Sequence, residues 1–165
     1  MNNKNMQTVP DIEDKIEALY LFMESNLSGR YAEDWTYMLD PEIVFHLNSL
    51  SKEECENLVL RIWDWDADIL ICLADPFIGD YYSHLDGGFL YCKLFLVIEN
   101  FGDLEYLYDN LPHAVSRINA GTQPLSFYVD LENKAIETFK VKESYGIDCI
   151  REKFDRERKL QQEKS

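Results

Sequence analysis

Six aspartates fall between Ile62 and Gly88, in the stretch IWDWDADILICLADPFIGDYYSHLDGG: Asp64, Asp66, Asp68, Asp75, Asp80 and Asp86. The nearest bases, Arg61 and Lys93, lie outside it. Carboxylates at this density could hold a cation, run acid–base chemistry, or form a surface that another protein reads. Asp64, Asp66 and Asp68 give D-x-D-x-D, the opening of a calcium loop. Such a loop needs Gly at its sixth position and usually Glu at its twelfth. Those positions hold Ile69 and Asp75, and the interior ILICLA is apolar with a helical pattern. A turn between helices with capping aspartates fits the stretch better than a metal site. A catalytic carboxylate pair needs a pocket and a shifted pKa, and spacing singles out no pair among 31 acids.

Other chemistry finds little support. His46, His84 and His113 share no metal-ligand spacing. There is no G-x-S-x-G elbow, and no cysteine carries a nucleophile signature. The seven scattered glycines form neither a phosphate loop nor a dinucleotide fingerprint. No cofactor is expected. Cys55, Cys72, Cys92 and Cys149 lack C-x-x-C spacing, and three sit in apolar helical stretches. They read as reduced, buried thiols of a cytoplasmic protein.

What remains is acid beside aromatic. Trp63 and Trp65 bracket Asp64, Tyr81 and Tyr82 follow Asp80, and Tyr106 and Tyr108 adjoin Glu105 and Asp109. Tyrosine and tryptophan dominate interface hot spots because they bury large area and keep a polar tip. Helical spacing places Trp63 in the core. Asp64, Asp66, Asp68, Asp80, Tyr81, Tyr82, Asp86, Tyr106 and Asp109 are therefore the candidate contact residues.

The charge balance agrees. Sixteen bases against 31 acids give −15, and residues 62–116 hold ten acids and one base, Lys93. Such a field repels nucleic acid and anionic membrane and speeds encounter with a basic partner. The basic tail alternates with Glu and Asp, so it reads as a solvated helix face rather than a nucleic-acid arm. The longest apolar run, FLYCKLFLVI, is too short to span a bilayer. The N-terminus MNNKNMQTVP is polar, unlike a signal peptide.

A chain of 165 residues with 22 aromatics can build one core without staples. Periodicity predicts a mainly α fold: a single helical domain over 1–150, with 151–165 as a polar helix end or tail. The first helix starts near Asp11, after Pro10, and Gly29 can close it. A short piece follows at Ala32–Leu39, then DPEIVFHLNSL with Asp40 as cap. Ser51 and Glu54 form a capping box, with Leu50 and Cys55 placed as a hydrophobic staple. ADILICLA is the next helix, stopped near Pro76 and Gly79. FLYCKLFLVIENFG is apolar almost all round and should be the central helix, closed by Gly102. Asp103 can cap LEYLYDN; Pro112 kinks that helix or opens another at Leu111, and Gly121 ends it. Residues 125–142 admit two readings. Phe127, Val129 and Leu131 alternate like a strand, whereas Phe127, Leu131, Ala135 and Phe139 make a helical stripe. The alternation, with ENK as a turn, favours a short β-hairpin. Ser51–Ala74 and Phe89–Ile118 share one plan, apolar helix, acidic turn, second helix, which predicts stacked antiparallel hairpins.

LYCKLFLVIENFGDLEYLYDNLPHAVSRI resembles the helical-hairpin units of bacterial immunity proteins of the HEAT-like kind, and LSKEECENLVLRIWDWDADILICLAD looks like a preceding unit. The likeness covers Glu42–Ala120, with Leu107 to Pro112 in the place of an L-x-x-L-P-like stretch. It implies a non-catalytic cytoplasmic protein that binds a cognate toxin and blocks its active site or an adjacent surface. Many such toxins are nucleases, basic where they hold phosphate. Two alternatives remain: an adaptor for an endogenous partner, and a hydrolase using acids of the Asp80–Asp86 loop.

Overall fold

The computed structural model describes residues 14–27 and 39–165. The expected start near Asp11, the stop at Gly29 and all but the end of the piece at Ala32–Leu39 lie outside them. The described residues are helices joined by turns, with no strand among them. Asp14 caps α1 (Lys15–Leu27): its Oδ1 accepts the N–H groups of Ile16 and Glu17 at 3.0 and 3.3 Å. Ile16, Leu19 and Met23 bury one face.

In α2 (Asp40–Asn48), Leu39 occupies the cap position and Asp40 and Pro41 are the first two helical residues. Asp40 therefore does not cap. The capping box of α3 (Lys52–Arg61) is formed in full. Glu54 N–H donates to Ser51 Oγ at 3.2 Å, and Ser51 N–H donates to the Glu54 carboxylate at 2.7 Å. Leu50 and Cys55 are buried beside it.

The helix expected over ADILICLA is segmented. A 3₁₀ turn at Ile62–Asp64 leads to α4 (Ala67–Leu70), a second 3₁₀ turn at Ile71–Leu73, and α5 (Ala74–Gly79). Pro76 lies in the first turn of α5, where no N–H partner is lost, so it does not stop the helix.

Helix α6 (Gly87–Val97) is the central element, with Leu90, Tyr91, Cys92, Leu94 and Phe95 buried around its circumference. A Cβ on Gly87 would stand 1.9 Å from the Phe77 carbonyl oxygen, and one on Gly88 would stand 2.6 Å from that of Ala114. The missing side chains let α6 meet its neighbours backbone to backbone.

Helix α7 (Phe101–Arg117) begins earlier than expected. Asn100 caps it by accepting the Asp103 N–H at 3.1 Å, and Gly102 sits in its first turn. Pro112 lies inside one uninterrupted helix. One turn ahead of it, the buried Tyr91 hydroxyl donates to the Leu107 carbonyl at 2.9 Å, tying this part of α7 to α6. Gly121 follows in the next turn at φ 73°.

The β-hairpin at 125–142 is not formed: Leu125–Phe139 is one helix, α8. Phe127, Leu131 and Ala135 are buried at helical spacing, whereas Val129, which the alternation needed inward, is 41% exposed. Tertiary packing decided between the two periods. Lys140, in the left-handed region at φ 54°, ends α8.

Ser144 caps α9 (Tyr145–Glu163), which carries most of the basic residues of 151–165. Two residues of that segment, Lys153 and Glu157, tie it to the turn after α7. Buried Glu157 accepts the Gly121 N–H at 2.7 Å and lies 3.1 Å from Lys153 Nζ, which donates to the Ile118 carbonyl at 2.8 Å. Consecutive helices α6–α7 and α8–α9 pack as neighbours, α9 also lies on α7, and α2 lies on α5. No helix among the described residues is long and apolar enough to cross a membrane.

Candidate functional site

The packing of α2 on α5 brings together two like-built helix starts, Asp40-Pro41 and Asp75-Pro76. They line one open groove of about 600 Å³ with Val44, Ile78, Gly79 and His113. Pro41, Val44, Pro76 and Ile78 make most of the lining apolar, and Asp40, Asp75 and His113 are its polar residues. Asp75 is engaged, accepting the Tyr106 hydroxyl from α7 at 2.5 Å. Asp40 is not: its Oδ1 is buried with no hydrogen-bond partner among the described residues. Burial, and then the charge of Asp75, push the Asp40 carboxyl up to about 7. The Tyr106 phenol is raised by burial and by its bond to Asp75.

Acidity extends to both sides of the groove. Burial pushes the Cys72 thiol up to about 12, helped by the fields of Asp40, Asp103 and Asp68. Asp103 is itself raised, by burial and then by Asp68. In the other direction, burial and the charge of Asp80 raise the Tyr82 phenol, with Asp40 contributing. The field of Asp75 thus reaches Asp40 and that of Asp68 reaches Asp103, while Cys72 and Tyr82 each feel Asp40 together with a more distant acid.

Of the candidates read from the sequence, Asp80, Tyr81, Tyr82 and Asp86 share one loop, held by a residue the sequence did not single out. Arg117, at the end of α7, donates to the carbonyls of Ile78 and Asp80, and its guanidinium lies 4.1 Å from the Tyr81 ring centre. Tyr81 is nevertheless 80% exposed. The Asp80 carboxyl is held down by the Asn48 amide, which donates at 3.0 Å, by the Tyr81 N–H, and by Arg117. Asp86 does structural work: it caps α6 through the Phe89 N–H at 2.9 Å and accepts the Asn119 N–H at 2.8 Å. Tyr82 is half-buried and donates to the Pro76 carbonyl.

The remaining candidates are dispersed. Asp64, Asp66 and Asp68 are exposed. Asp66 faces Tyr20 of α1, whose phenol is raised by burial, by Glu24 and by Asp66. Asp109 opens onto a separate groove of about 470 Å³ between α7 and α9, where Lys153 and Arg156 also contribute. Trp63 packs against the core and carries Lys93 Nζ 4.4 Å from its ring centre. Among the described residues, no three His, Cys, Asp or Glu side chains group as a metal site.

Comparison with protein families, curated proteins and solved structures found no match. The groove acids Asp40 and Asp75 were read as a cap and as a position in a failed calcium pattern. The signal that could have found them is the repeated Asp-Pro pair, which occurs at these two places in the chain and nowhere else.

Proposed function

We propose that this chain is an immunity-type binding protein, which neutralises a cognate toxin by docking on and covering a basic surface of it. The observation that carries this reading is the gathering of acids about the α2–α5 groove: Asp40 and Asp75 line it, and Asp80 follows in the next loop. Its nearby cation, Arg117, is committed to two backbone carbonyls. An acidic edge raises encounter rates with a basic partner and rejects anionic ones. The chain itself performs no reaction in this account, and it acts in the cytoplasm. Tyr81 and Tyr106, both exposed, supply contact area: Tyr106 bonds Asp75 of the groove, and Tyr81 lies two residues beyond its Gly79. The test is association with the protein encoded immediately upstream. Binding should inhibit that protein's toxicity and slow as salt is added; no binding would remove the reading.

One observation favours a second reading. A carboxyl that titrates near 7, beside another acid in a groove, is also how hydrolases separate an acid from a base. Hydrolysis of a panel of nitrophenyl esters and glycosides by the isolated chain, abolished in Asp40→Asn, would support it over the binding reading.

A further inference from the structure

We infer that Tyr81 is the anchor with which this chain enters its partner: a phenol ring held outward before contact, received by an apolar slot that carries a base beside Asp80. This rests on the binding reading above and names the contact at its centre.

Tyr81, Tyr145 and Phe45 are the most exposed large aromatics among the described residues, Tyr81 at 80%. Tyr145 and Phe45 lie on helices, where exposure follows from the turn of the helix. Tyr81 lies in the loop between α5 and α6, and that loop is bonded to four helices. Arg117 of α7 donates to the carbonyls of Ile78 and Asp80. Asn48 of α2 donates to the Asp80 carboxylate at 3.0 Å. The Tyr82 hydroxyl donates to the Pro76 carbonyl of α5, and Asp86 accepts from the first turn of α6 and from Asn119. These bonds fix the backbone on both sides of Tyr81, and none of them buries its ring. A side chain fixed before contact loses little freedom on binding, and tyrosine combines large area with few rotatable bonds.

The surroundings specify the receiving surface. The Arg117 guanidinium lies 4.1 Å from the ring centre and occupies one face. A partner can cover the ring on its other face and around its edge, which is the shape of a slot. Asp80, the preceding residue, has its carboxyl held down by Asn48 and then by the Tyr81 N–H, so it stays ionised. Its two oxygens each accept one bond, both at the surface, and a carboxylate has lone pairs for more. Arg117 is spent on backbone carbonyls, so a further donor to Asp80 comes from outside. The ten acids and single base of residues 62–116 favour a base in that role.

The experiment measures binding of the protein encoded immediately upstream to single variants of this chain. Tyr81→Ala should weaken binding about thirtyfold or more, mostly through faster dissociation, and Tyr81→Phe less than about fivefold. Tyr145→Ala, an equal loss of exposed tyrosine, should leave affinity unchanged. Asp80→Asn should slow association and flatten its salt dependence. Thermal melts separate a lost contact from a lost fold: Tyr81→Ala should lower Tm by no more than about 4 °C. In the isolated chain, NMR relaxation should give the Asp80–Tyr82 backbone order parameters of about 0.85, as in the helices. Order parameters below about 0.6, or a much larger fall in Tm, would overturn the pre-set anchor. Equal weakening by Tyr145→Ala would remove the special place of Tyr81, and an unaltered salt slope in Asp80→Asn would remove the base from the slot. Binding of Tyr81→Ala within about threefold of the unaltered chain would sink the anchor and leave the immunity reading standing. An upstream protein that fails to bind the unaltered chain sinks the immunity reading, and the anchor with it.

Discussion

Tyr106 donates its hydroxyl to Asp75 at 2.5 Å, and this contact makes the two groove acids unequal. Asp75 has its donor from within the chain, while Asp40, across the groove, has none among the described residues. An acid with a partner is settled in the folded state. An acid whose buried oxygen lacks one is strained by its own ionisation.

The first consequence is a pH dependence of stability. The Asp40 carboxyl is raised from its ordinary 3.8 to about 7 in the folded chain. Its favourable contribution is therefore complete below the ordinary value and is lost as pH rises through about 7. Urea unfolding should show a decline of about 1–2 kcal/mol across that window, the part left after solvent at the groove mouth screens the charge. Asp40→Asn should flatten the decline and be the more stable protein at pH 8. A variant that keeps the wild-type slope would show that Asp40 is not the strained acid.

Arg117 should hold the Asp80–Asp86 loop. Arg117→Met removes two donors to backbone carbonyls and the stack under Tyr81. A loss of about 2 kcal/mol is expected, with faster amide exchange across the loop than in the rest of the chain. Unchanged exchange there would mean that the loop is held by Asp86, Tyr82 and the Asn48–Asp80 bond.

The contact of α6 with α7 should tolerate no added methyl. Gly88→Ala places a Cβ 2.6 Å from the Ala114 carbonyl oxygen and 2.8 Å from Arg117 backbone carbon. Backbone cannot give way as a side-chain end can, and about 3 kcal/mol should be lost. Gly102→Ala meets only the Asn100 side chain, at 3.4 Å. It should be neutral or gain up to about 1 kcal/mol, because alanine suits a helical turn better than glycine. Thermal melts of the pair give the contrast.

The buried pair on α9 should behave as a unit. Glu157→Gln leaves Lys153, 12% exposed at its side chain, without its countercharge. A cost of about 3 kcal/mol is expected for breaking a buried pair from one side. Adding Lys153→Met should restore part of it, and chemical denaturation of the two singles and the double measures the coupling.

The sequence made local signals legible and long-range ones obscure. Ser51 and Glu54 were readable because a capping box is completed within four residues. The central helix α6 was readable because its apolar residues leave no polar face. The segment after Pro124 was misread because Phe127, Val129 and Leu131 satisfy one period while Phe127, Leu131 and Ala135 satisfy another. Only the packing of α8 on α6 and α9 chooses between them. Asp103 was taken for a cap because the real one, Asn100, lies three residues ahead and the intervening Gly102 looked like a stop. The groove was hidden for a different reason. Asp40 and Asp75 are far apart in the chain, and their encounter depends on α2 crossing α5. Tyr81 and Tyr106 could be picked out as surface aromatics from local context, but Asp86 could not be told from them, because its two acceptor bonds reach forward to Phe89 and Asn119.

The central claim is that acids around the α2–α5 groove steer and seat a basic protein. It is tested most directly by the association rate between this chain and the protein encoded immediately upstream, followed by stopped-flow at several salt concentrations. For the unaltered chain the rate should fall steeply with ionic strength, and a chain carrying Asp40→Asn, Asp75→Asn and Asp80→Asn together should associate about tenfold more slowly at low salt, with a shallower dependence. Identical rates and identical salt slopes for the two chains would contradict the account.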